Sequence, residues 1–348
     1  MTSPIITEAV RTLVERRDLT RLEAAAAMEA IMSGVATNAQ IAAFLTALRM
    51  KGEVVEELIG FAQVMREKVT RIRTRADEAL TGTDREMLID TCGTGGDASG
   101  TFNVSTATAF VVAGAGLKVA KHGNRAMTSR TGSADVLEAL GVRLDLTPES
   151  AGRSLDVLGI TFLFAPNFHS AMRNAAGVRR EMGVRTVFNL LGPITNPAGA
   201  TRQLLGVYAD TYVAVLAEVL RQLGSERAMI VHGSDGMDEL TVFGTSPVAE
   251  LRDGKIKEYT IDPAAFGLAH TDRAGVAGGS AQENAARIRA ILGGAKGPAR
   301  DIVLLNAGAA LAVAGVTDGL EAGIERARSA IDRGEAARKL DELAAFRG

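Results

Sequence analysis

Residues 87–97 read Met87-Leu-Ile-Asp90-Thr-Cys-Gly93-Thr-Gly-Gly-Asp97. The first four spell a short buried strand. The glycines behind them allow a tight turn whose backbone amides can approach an anion. From there the pattern alternates. Val104 to Ala115 reads as a small-residue helix, Leu117 to Ala120 as a strand and Ser133 to Leu140 as a helix, and Thr147-Pro148 opens another helix. Ile160 to Phe164, Leu204 to Tyr208 and Met229 to His232 read as strands, with a helix from Tyr212 to Leu223. Strands separated by helices need crossover connections, which predicts a mainly parallel sheet. Asp253-Gly254, inside Glu250 to Thr260, is a hairpin signal. Ser280 to Glu283 then caps a helix, and apolar runs from Ile302 and Leu320 make two more.

Upstream of Met87 no strand pattern occurs. Thr20 to Glu23 is a capping box ahead of Leu22, Met28, Ile31 and Met32, and Gly34 is a stop. Thr37 to Gln40 repeats the device before Ile41, Phe44, Leu45 and Leu48. Glu53 to Lys68 puts Val54, Leu58, Phe61 and Met65 on one face. Arg66 to Asp84 is charged, weakly apolar and reads as a hinge or linker. The expected class is α/β: a small N-terminal α-helical domain and a large α/β domain with a mainly parallel central sheet flanked by helices.

Composition narrows the function. The 39 basic and 41 acidic residues leave a net charge of −2, so no basic field drives non-specific nucleic-acid binding. Aromatics are 4% with no Trp, too few for stacking platforms. The single cysteine, Cys92, excludes a disulfide scaffold and suits a reducing cytoplasm. No run reaches the roughly 18 apolar residues of a membrane span. Glu8, Glu15 and Asp18 break up any signal-peptide core in Met1 to Leu19.

Three segments carry chemistry. Gly93, Gly95 and Ala98 formally fit a dinucleotide fingerprint, but Lys118 and Lys121 stand where its acidic residue belongs. A bare tight turn would explain the glycines. It would not explain Thr101, Asn103, Ser105 and Thr106 gathered at a helix start, where free N–H groups favour phosphate. The second loop, Lys121-His-Gly-Asn-Arg125, adds two cations, and Ser129, Thr131, Gly132 and Ser133 follow; Ser133 alone could be a simple N-cap. Two such loops at neighbouring strand ends suit a ligand with two phosphate groups. The third segment holds Asp238-Glu239, either a solvated pair or a Mg²⁺ site completed by phosphates.

Taken in order, these segments resemble the anthranilate phosphoribosyltransferases of tryptophan biosynthesis. The resemblance rests on Gly93-Thr-Gly-Gly-Asp97, Asn103-Val-Ser-Thr106, Lys121-His-Gly-Asn-Arg125, Gly132 to Leu140, Phe188-Asn-Leu-Leu-Gly-Pro-Ile-Thr-Asn-Pro197 and Asp238-Glu239. Gly279 to Asn284 and Leu304-Leu-Asn-Ala307 add to it. It implies a helical domain over 1–70, completed by a return at about 168–192, and a large domain over 71–167 and 193–348. It also implies a homodimer, and with the composition the expectation is a cytoplasmic protein with no nucleic acid or membrane as partner.

The reaction it implies is attack of the anthranilate amino group on C1 of phosphoribosyl pyrophosphate (PRPP), with pyrophosphate leaving and N-(5-phosphoribosyl)anthranilate as product. Mg²⁺, two PRPP-bound ions, is the implied cofactor. Carried onto this chain, Gly93, Gly96, Asp97 and Thr101 of the first loop would line the PRPP site, with Asn103, Val104, Ser105 and Thr106 at the helix start. Lys121, His122, Gly123, Asn124, Arg125, Ala126, Met127, Thr128 and Ser129 of the second loop would join them, with Ser133. Gly93, Asn124 and Arg179 would meet anthranilate. His122, His169 and Pro193 would border the access path. Ser105, Asp238 and Glu239 would hold the metal. The family commonly has serine where Thr128 and Thr131 stand; both keep a hydroxyl. Cys92 reads as packing beside the turn.

Two other readings fit the architecture. A pyrimidine nucleoside phosphorylase would need its own lysine- and serine-bearing loops, which are missing. A nucleic-acid-binding paralogue would need a basic face and degraded loops, and neither is found.

Overall fold

The structure is a computed structural model describing residues 3–74, 87–126 and 130–348. Helices α1 (Pro4–Val14), α2 (Arg21–Met32), α3 (Asn38–Lys51) and α4 (Val55–Lys68) come first. Both expected capping boxes form, with Thr20 paired to Glu23 and Thr37 to Gln40. Phe44 and Phe61 meet edge to face at 5.9 Å in their core. Leu22 departs from expectation. It falls in the first turn of α2 on the outer face and is 82% exposed, while Met28, Ile31 and Met32 are buried. Of the expected linker, Arg66–Lys68 finish α4 and residues 75–86 lie outside the described residues.

Seven strands follow: β1 (Leu88–Gly93), β2 (Lys118–Gly123), β3 (Ile160–Phe164), β4 (Arg202–Gly206), β5 (Arg227–Val231), β6 (Ser246–Arg252) and β7 (Lys255–Ile261). They pair in the order β3-β2-β1-β4-β5-β6-β7. The first five are parallel, and β6 and β7 form the antiparallel hairpin that Asp253-Gly254 announces. β4 and β5 both begin two residues earlier than the apolar runs suggest, because Arg202 and Arg227 pair in register at the N-terminal ends of the two strands despite their charge.

The chain builds outward from β1 to β3, then returns to the other side of β1. That reversal opens a crevice beyond the C-terminal ends of β1 and β4, the usual ligand position in such sheets. Side chains alternate across the sheet. Leu204, Met229, Val231 and Val248 face a core with α5 (Val104–Gly114), α6 (Ser133–Ala139), α12 (Ala281–Leu292), α13 (Pro298–Val313) and α14 (Leu320–Asp332). A further helix, α15 (Glu335–Ala345), escaped the sequence reading. Leu205, Val207, Ala228, Ile230, Ala249 and Leu251 face the opposite core, which runs through α11 (Thr211–Gln222) into the N-terminal helices.

Between β3 and β4 the chain makes α8 (Ala165–Phe168), α9 (Arg173–Met182) and α10 (Val187–Leu191); α7 (Pro148–Leu158) lies before β3. Ala175, Val178, Val187, Phe188 and Leu190 join the core of the N-terminal helices, and Asn174 donates to the Met32 carbonyl at 2.8 Å.

Candidate active site

The crevice is a cleft of about 1270 Å³. A pocket for one drug-sized ligand spans roughly 300–1,000 Å³, so two substrates have room here. The loops after β1 and β2 line it together with the Asp238-Glu239 loop and the α8–α10 segment.

Close packing fixes the acidic pair. Gly93 pairs with Gly206 at the strand ends, and Asp238 lies directly over both; a methyl group on either glycine would collide with it. Gly95, with φ +65°, turns its N–H onto Asp238 Oδ2 at 2.7 Å. Glu239 Oε1 accepts the Ser105 N–H at 3.0 Å, at the N-terminus of α5. Asp97 Oδ2 accepts the Asp238 N–H at 3.4 Å. Behind them Asn306, fully buried in α13, clamps Leu240 by donating to its carbonyl and accepting its N–H, at 2.9 and 3.0 Å.

The charges here are strained by burial. Desolvation, then the neighbouring Asp97, pushes the Asp238 carboxyl up to about 7. Desolvation and Asp238 raise Glu239 well above the carboxylate range. Lys121 Nζ donates to the Thr91 carbonyl at 2.6 Å and to Ser105 Oγ at 3.1 Å; burial lowers its pKa against the pull of Asp90. Asp90 is fully buried and raised by desolvation to about 6. It accepts the His122 N–H and the Asn196 amide at 3.3 and 2.7 Å. Ionising these carboxylates around a single buried lysine is costly, and a hard cation would offset that cost. The donors fit Mg²⁺, being carboxylate and hydroxyl oxygens. Among the described residues no three His, Cys, Asp or Glu already form a ligand set, so phosphate and water oxygens would complete its shell.

On the opposite wall, Arg179 Cζ stands 5.0 Å over the Phe188 ring. Burial lowers its guanidinium to about 10, and among the described residues no carboxylate pairs with it. The His122 and His169 rings meet at 5.1 Å, tilted 41° to each other. His122 Nδ1 donates to the Gly192 carbonyl at 3.1 Å, and among the described residues neither His122 Nε2 nor His169 Nε2 has a hydrogen-bond partner. Desolvation holds His122 down at about 3, helped by His169, and holds His169 at about 4. Both rings therefore stay neutral as pH falls from 7 to 5. Unfolding frees them to ionise below about 6.5, so their contribution to stability declines as pH drops through that value. Their ring C–H resonances, followed by NMR, should not move between pH 7 and 5; titration above pH 5.5 would refute this.

Residues 85–337 match the glycosyl transferase family a/b domain, and residues 7–69 match that family's helical bundle domain. The anthranilate phosphoribosyltransferase of Moorella thermoacetica is 53% identical, with 97% of each chain covered. That of Thioalkalivibrio sulfidiphilus is 52% identical over 97% of this chain and 98% of its own. The chain belongs to the anthranilate phosphoribosyltransferase family. The Thermus thermophilus anthranilate phosphoribosyltransferase superposes with a TM-score of 0.88 at 44% identity, covering 97% of this chain and 98% of its own. A Saccharomyces cerevisiae anthranilate phosphoribosyltransferase in complex with PRPP and Mg superposes at 0.86 with 26% identity, covering 98% of this chain and 97% of its own.

Most residues that the family resemblance singled out line the cleft. From the first loop and α5 these are Gly93, Gly96, Asp97, Thr101, Asn103, Val104 and Ser105. From the second loop they are Lys121 to Ala126 and Ser133, and His169, Arg179, Pro193, Asp238 and Glu239 complete the lining. Thr106 does not line it: one residue past Ser105, its side chain turns into the interior and is fully buried. Met127, Thr128 and Ser129 lie outside the described residues. Arg125 is held by Asp135 and Glu138 at 2.8 and 2.9 Å. Ser133 is not the cap of α6: Gly132 holds that position, its N–H bound by Asp135, and Ser133 Oγ donates to the Asn124 carbonyl. Cys92 packs beneath the turn, buried, as expected. Sequence reasoning missed Arg185, which donates to the Gly96 carbonyl and covers the Tyr208 ring at 4.6 Å. Asn189, quoted within the Phe188 to Pro197 motif without a role of its own, reaches the Thr94 carbonyl with its amide at 3.4 Å.

Proposed function

We infer that this chain transfers the phosphoribosyl group of PRPP to the amino group of anthranilate. The C1–O bond to pyrophosphate breaks, a C1–N bond forms, and the nitrogen gives up one proton. The observation that carries this reading is the meeting, in one cleft, of two glycine-bearing loops, a buried acidic pair and an unpaired guanidinium. A Saccharomyces cerevisiae relative at 25% identity and a TM-score of 0.84 is described in complex with 4-fluoroanthranilate, which supports the acceptor.

The loops and the N-terminus of α5 offer N–H groups to the anionic donor, and Lys121 adds positive charge beneath them. Asp238 and Glu239, with Ser105, would hold Mg²⁺, and two ions would accompany PRPP. Mg²⁺ supplies charge neutralisation for that leaving group. Arg179 takes the anthranilate carboxylate in its planar fork. His122, His169 and Pro193 border the access path as neutral, largely apolar walls. With both histidines neutral and far below the pKa of a working base, catalysis rests on positioning and electrostatics; an aniline nitrogen is already nucleophilic at pH 7.

We also place a boundary between a helical unit, 1–70 with about 168–192, and the α/β remainder. A homodimer would form through the helical unit, where Ile5, Val14, Leu22, Val35 and Met50 are exposed. No helix among the described residues is long and apolar enough to cross a membrane, in keeping with a cytoplasmic enzyme. Anthranilate fluorescence tests the reaction. The signal should decay only when protein, PRPP and Mg²⁺ are all present, and EDTA should stop it. A flat trace from folded protein would overturn the reading.

A further inference from the structure

The motif from Gly279 to Asn284 has no part in the reaction above, yet it touches both phosphate loops. Gly279 donates its N–H to Asn284 Oδ1 at 2.8 Å. Asn284 Nδ2 donates to Asn103 Oδ1 at 3.1 Å. Asn103 Nδ2 donates to the Thr131 carbonyl at 3.1 Å. Thr131 Oγ1 donates to the Gly279 carbonyl at 2.8 Å. The fourth bond closes on the residue where the first began. All four donors point the same way round, so neither amide can flip without setting donor against donor or acceptor against acceptor. Alongside, residues 276–278 run antiparallel to 100–102, with Gly278 N–H on the Gly100 carbonyl and Phe102 N–H on that of Val276. Asn284 is 2% exposed.

The ring joins three parts that are distant in sequence, and the backbone pairing of 276–278 with 100–102 runs beside it. Asn103 opens α5, Thr131 lies just before α6, and Asn284 sits in the first turn of α12. We propose that Asn284 and Thr131 are positioning residues that lock the α5 entrance and the 130–133 stretch together, so that both loops meet one PRPP molecule at once. They act through Asn103 and the loop backbone, not on the reacting atoms. A ligand held at both ends is sensitive to small relative shifts of its two cradles, and an error near 1 Å can cost on the order of a hundredfold. This rests on the PRPP reading above.

The test uses the full chain. Thr131→Val removes the hydroxyl donor and keeps the β-branched shape; Thr131→Ser keeps the donor. Asn284→Asp keeps the acceptor for Gly279 and loses the donor to Asn103. PRPP binding is measured by calorimetry without anthranilate, alongside steady-state kinetics and melting temperature. Thr131→Val and Asn284→Asp should each weaken PRPP binding and raise its KM about tenfold, the size of one or two hydrogen bonds. The anthranilate KM should stay within about twofold, and Thr131→Ser should restore PRPP affinity. A folded Thr131→Val protein that binds PRPP like the wild type overturns the proposal, even where Asn284→Asp fails to fold. So does a fall in kcat with both KM values unchanged. Wild-type protein that binds no PRPP overturns the substrate reading itself, a separate failure.

Discussion

Asp238→Asn combined with Glu239→Gln should cut turnover by about a thousandfold or more, yet leave the melting temperature in Mg²⁺-free buffer level or higher. The two halves have one cause. Both carboxylates are buried, and desolvation raises their pKa values, with Asp97 adding to it at Asp238 and Asp238 adding to it at Glu239, so charging them costs the fold stability. The neutral isosteres can still accept the Gly95 and Ser105 N–H groups that the carboxylates accept now. What they lose is the negative charge that binds a divalent cation. Metal stabilisation of a leaving group is worth several kcal/mol, and about 4 kcal/mol corresponds to a factor of a thousand. A site kept unstable for the sake of function gains stability when the function is removed. The measurements are the Mg²⁺ dependence of anthranilate fluorescence decay and thermal melts with and without the metal. An unchanged Mg²⁺ activation curve would remove the pair from the metal site.

Sequence alone was most informative where one residue type can play one physical part. The capping boxes at Thr20 and Thr37 appear as read, because each needs only a hydroxyl and an acid or amide three residues on. The Asp253-Gly254 turn appears between β6 and β7, because both positions take φ above +50° and few other residues tolerate that. Strand starts were read less well. Arg202 and Arg227 pair with each other at the start of their strands, and a charge at a strand end hides it from a hydrophobic pattern. Leu22 shows the converse: an apolar residue that periodicity assigns to the core, but that a first-turn position turns outward.

The site divides the same way. Glycines and hydroxyls at a helix start announce an anion cradle, because few structural tasks need so many at once. The groups that aim that cradle are remote in sequence and unremarkable in type. Arg185 looks like any surface arginine until its bond to Gly96 is seen. Asn306 is one amide in an apolar helix, although a polar residue that deep must satisfy itself somewhere, and the backbone of Leu240 is where it does so. Besides that oddity, the Leu304-Leu-Asn-Ala307 motif of the family resemblance carries it. Asn103 was read as a ligand contact from its place at the helix start; the structure engages both ends of its amide with Asn284 and Thr131.

Arg179→Ala should raise the anthranilate KM about 10- to 100-fold and leave the PRPP KM within about twofold. A guanidinium in a bidentate bond to a carboxylate contributes roughly 1.5–3 kcal/mol, which sets that range. The asymmetry follows from the map of the cleft. Arg179 lies on α9, against Phe188, while the phosphate-binding N–H groups belong to the loops after β1 and β2. Its cost in the free protein points the same way. Burial lowers its pKa to about 10 with no acidic neighbour among the described residues to oppose the loss, so the fold holds a partly desolvated cation that an incoming anion would relieve. Arg179→Lys keeps the charge but not the planar fork, and should recover part of the affinity. Arg338, exposed on α15 and outside the cleft lining, supplies the control: Arg338→Ala should change either KM by less than about threefold. Equal rises in both KM values for Arg179→Ala would move the arginine from the acceptor to the donor phosphates. The carboxylate of anthranilate would then need another partner in the cleft.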